Sequence, residues 1–350
     1  LVEIALNDDW ASAQQRLAAF WEREVVDRPC LQVYVRPAGP DVETAVDPQQ
    51  YWTGPAAFFA VEQARYLRAG YLGEAFPVLY SNYRVVPSLA GAVAEYAPDT
   101  IWYHPLAGSL AEIDLSGFSP AHPAVQRMAA ILAYAAERGA GECFVGLPAL
   151  GNSGDELAML RNWQRFCYDL RDDIETVIRL DAEVTQIWKI LYDLFYGIIN
   201  QHMEGSCGWL PAWHPRRSAL IEFDLGGLVG PEHFRRFIPH LLERAGHVEH
   251  AIYHLDGRGA LPHLETLLAL PEIHAIQAQP GSGGGDILSW LPVLRKIQSA
   301  GKCLYVGYTC EPALALRLLE ELRPEGLIIP VEAGDEASAR RFLEEVARRF

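Results

Sequence analysis

Short runs of β-branched and aromatic residues alternate with amphipathic stretches along most of the chain, and that alternation is the primary structural signal. Eight runs read as strands: Leu31–Val35, Pro77–Tyr80, Cys143–Leu147, Ala219–Phe223, Ala251–His254, Ile273–Gln279, Cys303–Tyr308 and Leu327–Val331. In the C-terminal half, Leu261–Leu270, Ile287–Ala300, Pro312–Leu322 and Ala337–Phe350 carry apolar residues at helical spacing, each after a strand and a short loop. Gly301 and Gly326 stand where a helix must stop and the chain reverse into the next strand. Regular strand–helix alternation predicts an α/β protein with a parallel sheet. Eight units predict closure into a (β/α)8 TIM barrel, with Leu31–Val35 beside Leu327–Val331; a doubly wound open sheet is the alternative.

The chain exceeds a minimal barrel in three places. A helical extension precedes the first strand. Ser88–Ala140, between strands two and three, holds a Pro/Gly-broken piece (Asp99–Pro123) before a helix. A long helical insertion, Glu156–Met203, separates strands three and four and leads into Cys207-Gly-Trp-Leu-Pro-Ala-Trp213. Arg161, Trp163, Phe166 and Tyr168 along that insertion read either as a cover for the active site or as the core of a helical layer. Residues 1–350 are expected to form one domain.

Composition narrows the function classes. Half of the 350 residues are hydrophobic, enough for a sizeable core. The formal net charge is -16, and basic runs are no longer than pairs such as Arg216-Arg217, which argues against nucleic acid as a partner. Cysteines at 30, 143, 167, 207, 303 and 310 form no C-x-x-C pair and read as reduced thiols. No apolar run approaches the roughly 20 residues of a membrane span, and the N-terminal residues are amphipathic and acidic rather than signal-like. A cytoplasmic protein without membrane partners is expected.

In a barrel the chemistry comes from residues that end the strands. In order these are Arg36; Ser81, Asn82 and Tyr83; Gly151 and Asn152; Glu222 and Asp224; His254 and Asp256; Gln277 and Gln279; Tyr308 and Cys310; and Glu332. Arg36, Asn82, Asp224, His254, Gln279 and Glu332 are expected to share one pocket at the mouth. His254 and Asp256 stand two apart at a strand end and face the same side; imidazole with carboxylate ligates a metal or works as a general acid and base. Asp224 joins them as a catalytic candidate, and Arg36, Asn82, Tyr83, Gln277, Gln279, Tyr308 and Cys310 are the substrate-binding candidates. Cys310 reads equally as a reactive thiolate or an inert buried thiol. Pro280-Gly-Ser-Gly-Gly-Gly285 is a Gly-rich loop that either cradles phosphate or simply flanks the site; it lacks the P-loop lysine and a complete G-x-G-x-x-G.

Several segments, in order, resemble the uroporphyrinogen decarboxylase-like superfamily: Asp27-Arg-Pro-Cys-Leu-Gln-Val-Tyr-Val-Arg36, Val78–Gly91, Phe223-Asp224-Leu225, Gly230–Pro239 and His254-Leu255-Asp256-Gly257. That group includes the decarboxylase and zinc-dependent methyltransferases acting with methylcobalamin. The resemblance implies that Arg36 belongs to a substrate-binding arginine loop. It also implies departures. Asn82 stands where the decarboxylase has its catalytic aspartate, and Ile329–Gly334 replaces its N-x-G-H-G stretch. The methyltransferases carry H-x-C and a second Cys as zinc ligands; here the corresponding residues are His254, Asp256 and Glu332, a harder set that suits Zn, Mn or Fe.

Three readings follow. The first is a methyltransferase-like enzyme with a metal on His254, Asp256 and Glu332 and a corrinoid, carried by a partner protein, as methyl carrier. The second is a metal-free carboxy-lyase in which Arg36 anchors a small acidic substrate and His254 with Asp256 moves the proton. The third is a non-catalytic protein that binds a tetrapyrrole or corrinoid.

Overall fold

The computed structural model describes residues 4–36, 46–106 and 108–350. The first helix, α1 (Trp10–Trp21), is capped by Asp9, whose carboxylate accepts the Ser12 N–H, and it buries Trp10, Ala13, Leu17 and Phe20 at three- and four-residue spacing. Strand β1 (Cys30–Val35) follows. Helices α2 (Pro48–Thr53) and α3 (Pro55–Tyr66) each open on a proline, whose missing N–H costs nothing in a first turn. Then come β2 (Gly70–Gly73), β3 (Val78–Leu79), α4 (Val85–Leu89), the hairpin β4 (Ala94–Tyr96) and β5 (Ile101–Tyr103), α5 (Pro123–Gly139) and β6 (Phe144–Val145).

The predicted helical insertion is three helices: α6 (Asp155–Arg161), α7 (Trp163–Asp172) and α8 (Ile174–Ile199). In α8, Val177, Leu180, Val184, Ile187, Leu191 and Phe195 line one buried stripe, each such side chain contributing roughly 1.5–3 kcal/mol of burial. The remaining elements alternate: β7 (Ser218–Ile221), α9 (Pro231–Ala245), β8 (His250–Asp256), α10 (Gly257–Ala260), α11 (Leu264–Leu268), β9 (Ala275–Gln279), α12 (Leu291–Ser299), β10 (Cys303–Val306), α13 (Pro312–Glu321), β11 (Leu327–Ala333) and α14 (Glu336–Ala347). Gly301 and Gly326 both take positive φ, as their positions demanded.

This is an α/β fold around a seven-stranded, mostly parallel sheet of order β2-β1-β11-β10-β9-β8-β7. The expected pairing of first and last strands is present and parallel, with Leu31 opposite Ile329 and Val33 opposite Val331. Every residue of β9 is buried, as in a strand covered on both faces. Two features depart from the sequence reading. Strands two and three shrink to the two-residue pair β3–β6; Pro77, which lacks the N–H a ladder needs, precedes β3, and past β6 only single bonds continue, from Gly146 to Leu79 and from Leu147 to Cys207. An unforeseen strand, β2, pairs antiparallel with β1 and forms that edge of the sheet. Among the described residues no helix is long and apolar enough to cross a membrane, and all six cysteines are free.

Candidate active site

Parallel register carries polar side chains into one row. Ile221 is paired with Tyr253, which sets the following Glu222 beside His254; His254 is opposite Gln277, and Gln277 opposite Tyr305. Gln277 spans two neighbours: its amide Nε2 donates to the Gly307 carbonyl at 3.0 Å, so its Oε1 accepts from His254 Nδ1. That assignment, drawn from the hydrogen-bond network, places the His254 proton on Nδ1 and leaves the Nε2 lone pair facing Asp224, 3.9 Å from Oδ1. Trp209 packs edge-on against the His254 ring at 5.2 Å between centroids, and its indole N–H donates to Glu222 Oε1 at 2.6 Å. Asn152 donates to the other Glu222 oxygen at 2.8 Å.

Glu222 is under opposing forces. Burial and the neighbouring Asp224 carboxylate push its pKa above the ordinary glutamate value, while His254 and the Trp209 hydrogen bond pull the other way. The net shift is upward. Asp224 itself is half-exposed at the mouth, and its backbone is clamped from behind. The buried Asp155 carboxylate accepts the N–H groups of Asp224 (3.0 Å) and Leu225 (2.9 Å). Next to it Glu156 holds Arg84 at 2.7 Å, tying α6 to the segment after β3.

Beyond Trp209 opens a cavity of about 560 Å³ between β1, β2, β10 and the 209–211 segment. Arg36, Tyr308 and Trp209 line it. Of the six residues expected to share one pocket, Arg36 lines this cavity and pairs loosely with Glu332 at 3.6 Å. His254 and Asp224 stand by the Trp209 wall, and Gln279 links Asp256 (2.5 Å) to the Tyr308 hydroxyl (3.1 Å). Asn82 is half-buried between β3 and α4. Tyr83 turns to the helical layer, where its buried hydroxyl accepts from Arg127 of α5 at 3.3 Å. Burial pushes the Cys310 thiol up to about 12, which keeps it protonated at neutral pH.

The donor set implied for a metal does not converge. His254 still offers Nε2, but Asp256 is engaged by Gln279 and Glu332 lies with Arg36 and Thr309. Among the described residues no three His, Cys, Asp or Glu side chains gather as a ligand set. The Gly-rich loop packs against Asp256: a Cβ on Gly281, at φ +66°, would sit 2.9 Å from Asp256 Oδ1.

Glu222 and Trp209 were visible in the sequence, one as a strand end and one in the Cys207–Trp213 segment, but no spacing joined them. Glu222 sits two residues before Asp224, and that pair was the available signal.

No protein-family model matches the chain, and no curated protein matches it in sequence. Among solved structures, a methyltransferase from Methanosarcina mazei superposes with a TM-score of 0.64 at 14% identity, covering 97% of this chain and 98% of that one. A mandelate racemase/muconate lactonizing enzyme from Jannaschia sp. CCS1 aligns over 88% of this chain and 55% of its own, at 15% identity and a TM-score of 0.37. At that identity the first likeness establishes a shared fold over essentially the whole chain.

Proposed function

We propose that this chain is a cytoplasmic, methyltransferase-like enzyme of the uroporphyrinogen decarboxylase-like superfamily. Its proton-transfer centre is His254 and Glu222, with Asp224 at the mouth. The observation that carries the reading is the His254 geometry: an imidazole with its proton fixed on Nδ1 by Gln277 presents Nε2 as a base, beside a carboxyl group of raised pKa. The full-length likeness to a methyltransferase supports the reaction class.

In this reading the heteroatom of a small acceptor attacks a methyl carbon while His254 Nε2 takes the acceptor's proton. The methyl–donor bond breaks with its electron pair staying on the donor. A corrinoid on a partner protein would supply the methyl group from outside, because a cavity of about 560 Å³ is of small-ligand size. Among the described residues the implied metal ligands do not gather, and the proton transfer proposed here uses His254 and Glu222 alone.

The same reading closes the sheet into a barrel. Support comes from Tyr80 after β3, Leu147 after β6 and Leu220 of β7, which line one small cavity of about 30 Å³ together. The Leu147 N–H also donates to the Cys207 carbonyl at 2.8 Å.

A second reading, a carboxy-lyase on a small acidic substrate, is favoured by Arg36 in the cavity wall and by Glu222 as a proton donor. Purified protein offered methylcobalamin with small thiols, and separately small carboxylic acids, separates the two by cob(I)alamin formation or carbon dioxide release. Methyl transfer that falls by about 100-fold or more in His254→Ala supports the first reading. Carbon dioxide release alone supports the second, and neither activity sinks both. Elemental analysis tests the metal: stoichiometric zinc, manganese or iron lost in His254→Ala would overturn the metal-free centre.

A further inference from the structure

The large cavity has a chemistry unlike the rest of the molecule. The chain carries a formal charge of -16, yet the cavity wall gathers three arginines, Arg36, Arg65 and Arg68, with Glu62 beside Arg65 and Glu332 3.6 Å from Arg36. Guanidinium groups gathered at one opening of an acidic protein are donors that can hold an anion there. Arg65 is held in place by Glu62 and by the Tyr51 hydroxyl at 2.9 Å. Among the described residues Arg36 is held loosely, at 3.6 Å to Glu332, longer than the 2.7–2.9 Å of a charge-assisted hydrogen bond.

The remaining wall is aromatic. Tyr34 and Tyr71 meet edge to face at 6.0 Å, and Tyr305, Tyr308 and Trp209 complete the lining. Such rings give a flat, apolar ligand faces and edges to pack on while their polar atoms stay engaged. Tyr305 donates to Gln32 at 2.7 Å, the Tyr308 hydroxyl accepts from Gln279 at 3.1 Å, and Trp209 donates to Glu222. The cavity volume fits one small molecule.

We infer that this cavity binds an aromatic carboxylate, its ring among Tyr34, Tyr71 and Trp209 and its carboxylate on Arg36 and Arg65. The geometry also orients it. The arginines belong to the segment after β1 and to α3, whereas Trp209 touches both Glu222 and His254. With its carboxylate on the arginines and its ring against Trp209, the ligand turns its ring, not its anionic head, toward the proton-transfer centre. Only this orientation rests on the proposed role of Glu222 and His254; binding does not.

Calorimetric titration with 2-naphthoate and its neutral isostere 2-naphthamide tests the assignment, in the wild type and in Glu222→Gln. The acid is expected to bind both proteins at roughly millimolar affinity or tighter, and the amide at least about tenfold more weakly, the loss of one charge-assisted contact. Arg36→Met should weaken the acid by a similar factor and leave the amide unchanged. Arg65→Lys, which keeps the charge but loses the planar fork, should weaken the acid by a smaller factor. No binding of the acid, equal binding of acid and amide, or full affinity in Arg36→Met overturns the proposal. Failure of the proton-transfer reading would appear in turnover and leave these affinities untouched.

Discussion

At the scale of single residues, the centre depends on how neighbours set proton positions. Gln277 fixes the His254 tautomer, and burial together with the Asp224 charge raises Glu222, so each is set by its surroundings. Glu222→Gln keeps the shape and an acceptor oxygen for the Trp209 N–H while removing the titration; its amide N–H can bond Asn152 once that side chain turns its oxygen inward. Because the Glu222 pKa is raised on folding, its contribution to stability is fully present below the ordinary glutamate pKa and is lost as pH rises through the folded value. The variant is thus expected to melt no lower than wild type at neutral pH, by calorimetry, while turnover falls about 100-fold. A variant that unfolds readily at pH 7 would mean that Glu222 holds the fold together as an ionised group. Asp155 is a positioning residue. Asp155→Ala orphans the buried Leu225 N–H, at about 1–3 kcal/mol, and frees the part-buried Asp224 N–H, and should loosen the Asp224 segment. Asp155→Asn, which keeps one acceptor, should recover part of the loss in both melting temperature and turnover.

At the scale of elements, legibility followed burial on both faces of a strand. The β8–β11 region was readable because long apolar runs alternated with capped helices, as at Asp335, whose side chain and Ser338 cap α14 reciprocally. The β3 and β6 strands were overextended because apolar runs at Pro77–Tyr80 and Cys143–Leu147 carry no sign of where ladder bonding stops. β2 was missed since Gly70-Tyr-Leu-Gly73 has only two apolar residues, and its place on the sheet edge is set by β1. The site followed suit. His254, Gln277 and Asp224 were legible as strand ends, whereas Arg65, at the end of α3, reaches the cavity only through tertiary packing. One contact between elements is open to test. Gly259 of α10 lies so close to the turn after β7 that a Cβ there would sit 2.3 Å from the Gly227 carbonyl oxygen. Gly259→Ala must push that turn, and Asp224 with it, at about 1–3 kcal/mol of stability. Denaturant unfolding with an unchanged midpoint would show that the turn yields freely.

At the scale of the whole molecule, the two ends of the sheet have opposite chemistries. The C-terminal ends gather Glu222, Asp224 and His254. Near the other end, His214, His250 and His274 pack with ring centroids 4.6 Å apart in successive pairs, beside Trp21. Burial, with mutual repulsion for His214, lowers all three, His214 to about 4. Their lowered pKa values mean that the unfolded chain binds more protons, so stability is full above about pH 6.5 and falls as pH drops toward 4. Thermal melts across that range should show the decline, and His214→Asn should flatten it; a slope identical in the variant would remove this cluster from the account.

The central claim is that Glu222 and His254 form a proton-transfer centre poised by Asp224. It is tested most directly by following the Glu222 side-chain carboxyl by 13C NMR as a function of pH, with Glu222→Gln giving the assignment. The account predicts that Glu222 titrates above the ordinary value of about 4.3 and moves down in Asp224→Asn, because a like charge has been removed. A Glu222 that titrates at or below the ordinary value, and does not respond to Asp224→Asn, would contradict it.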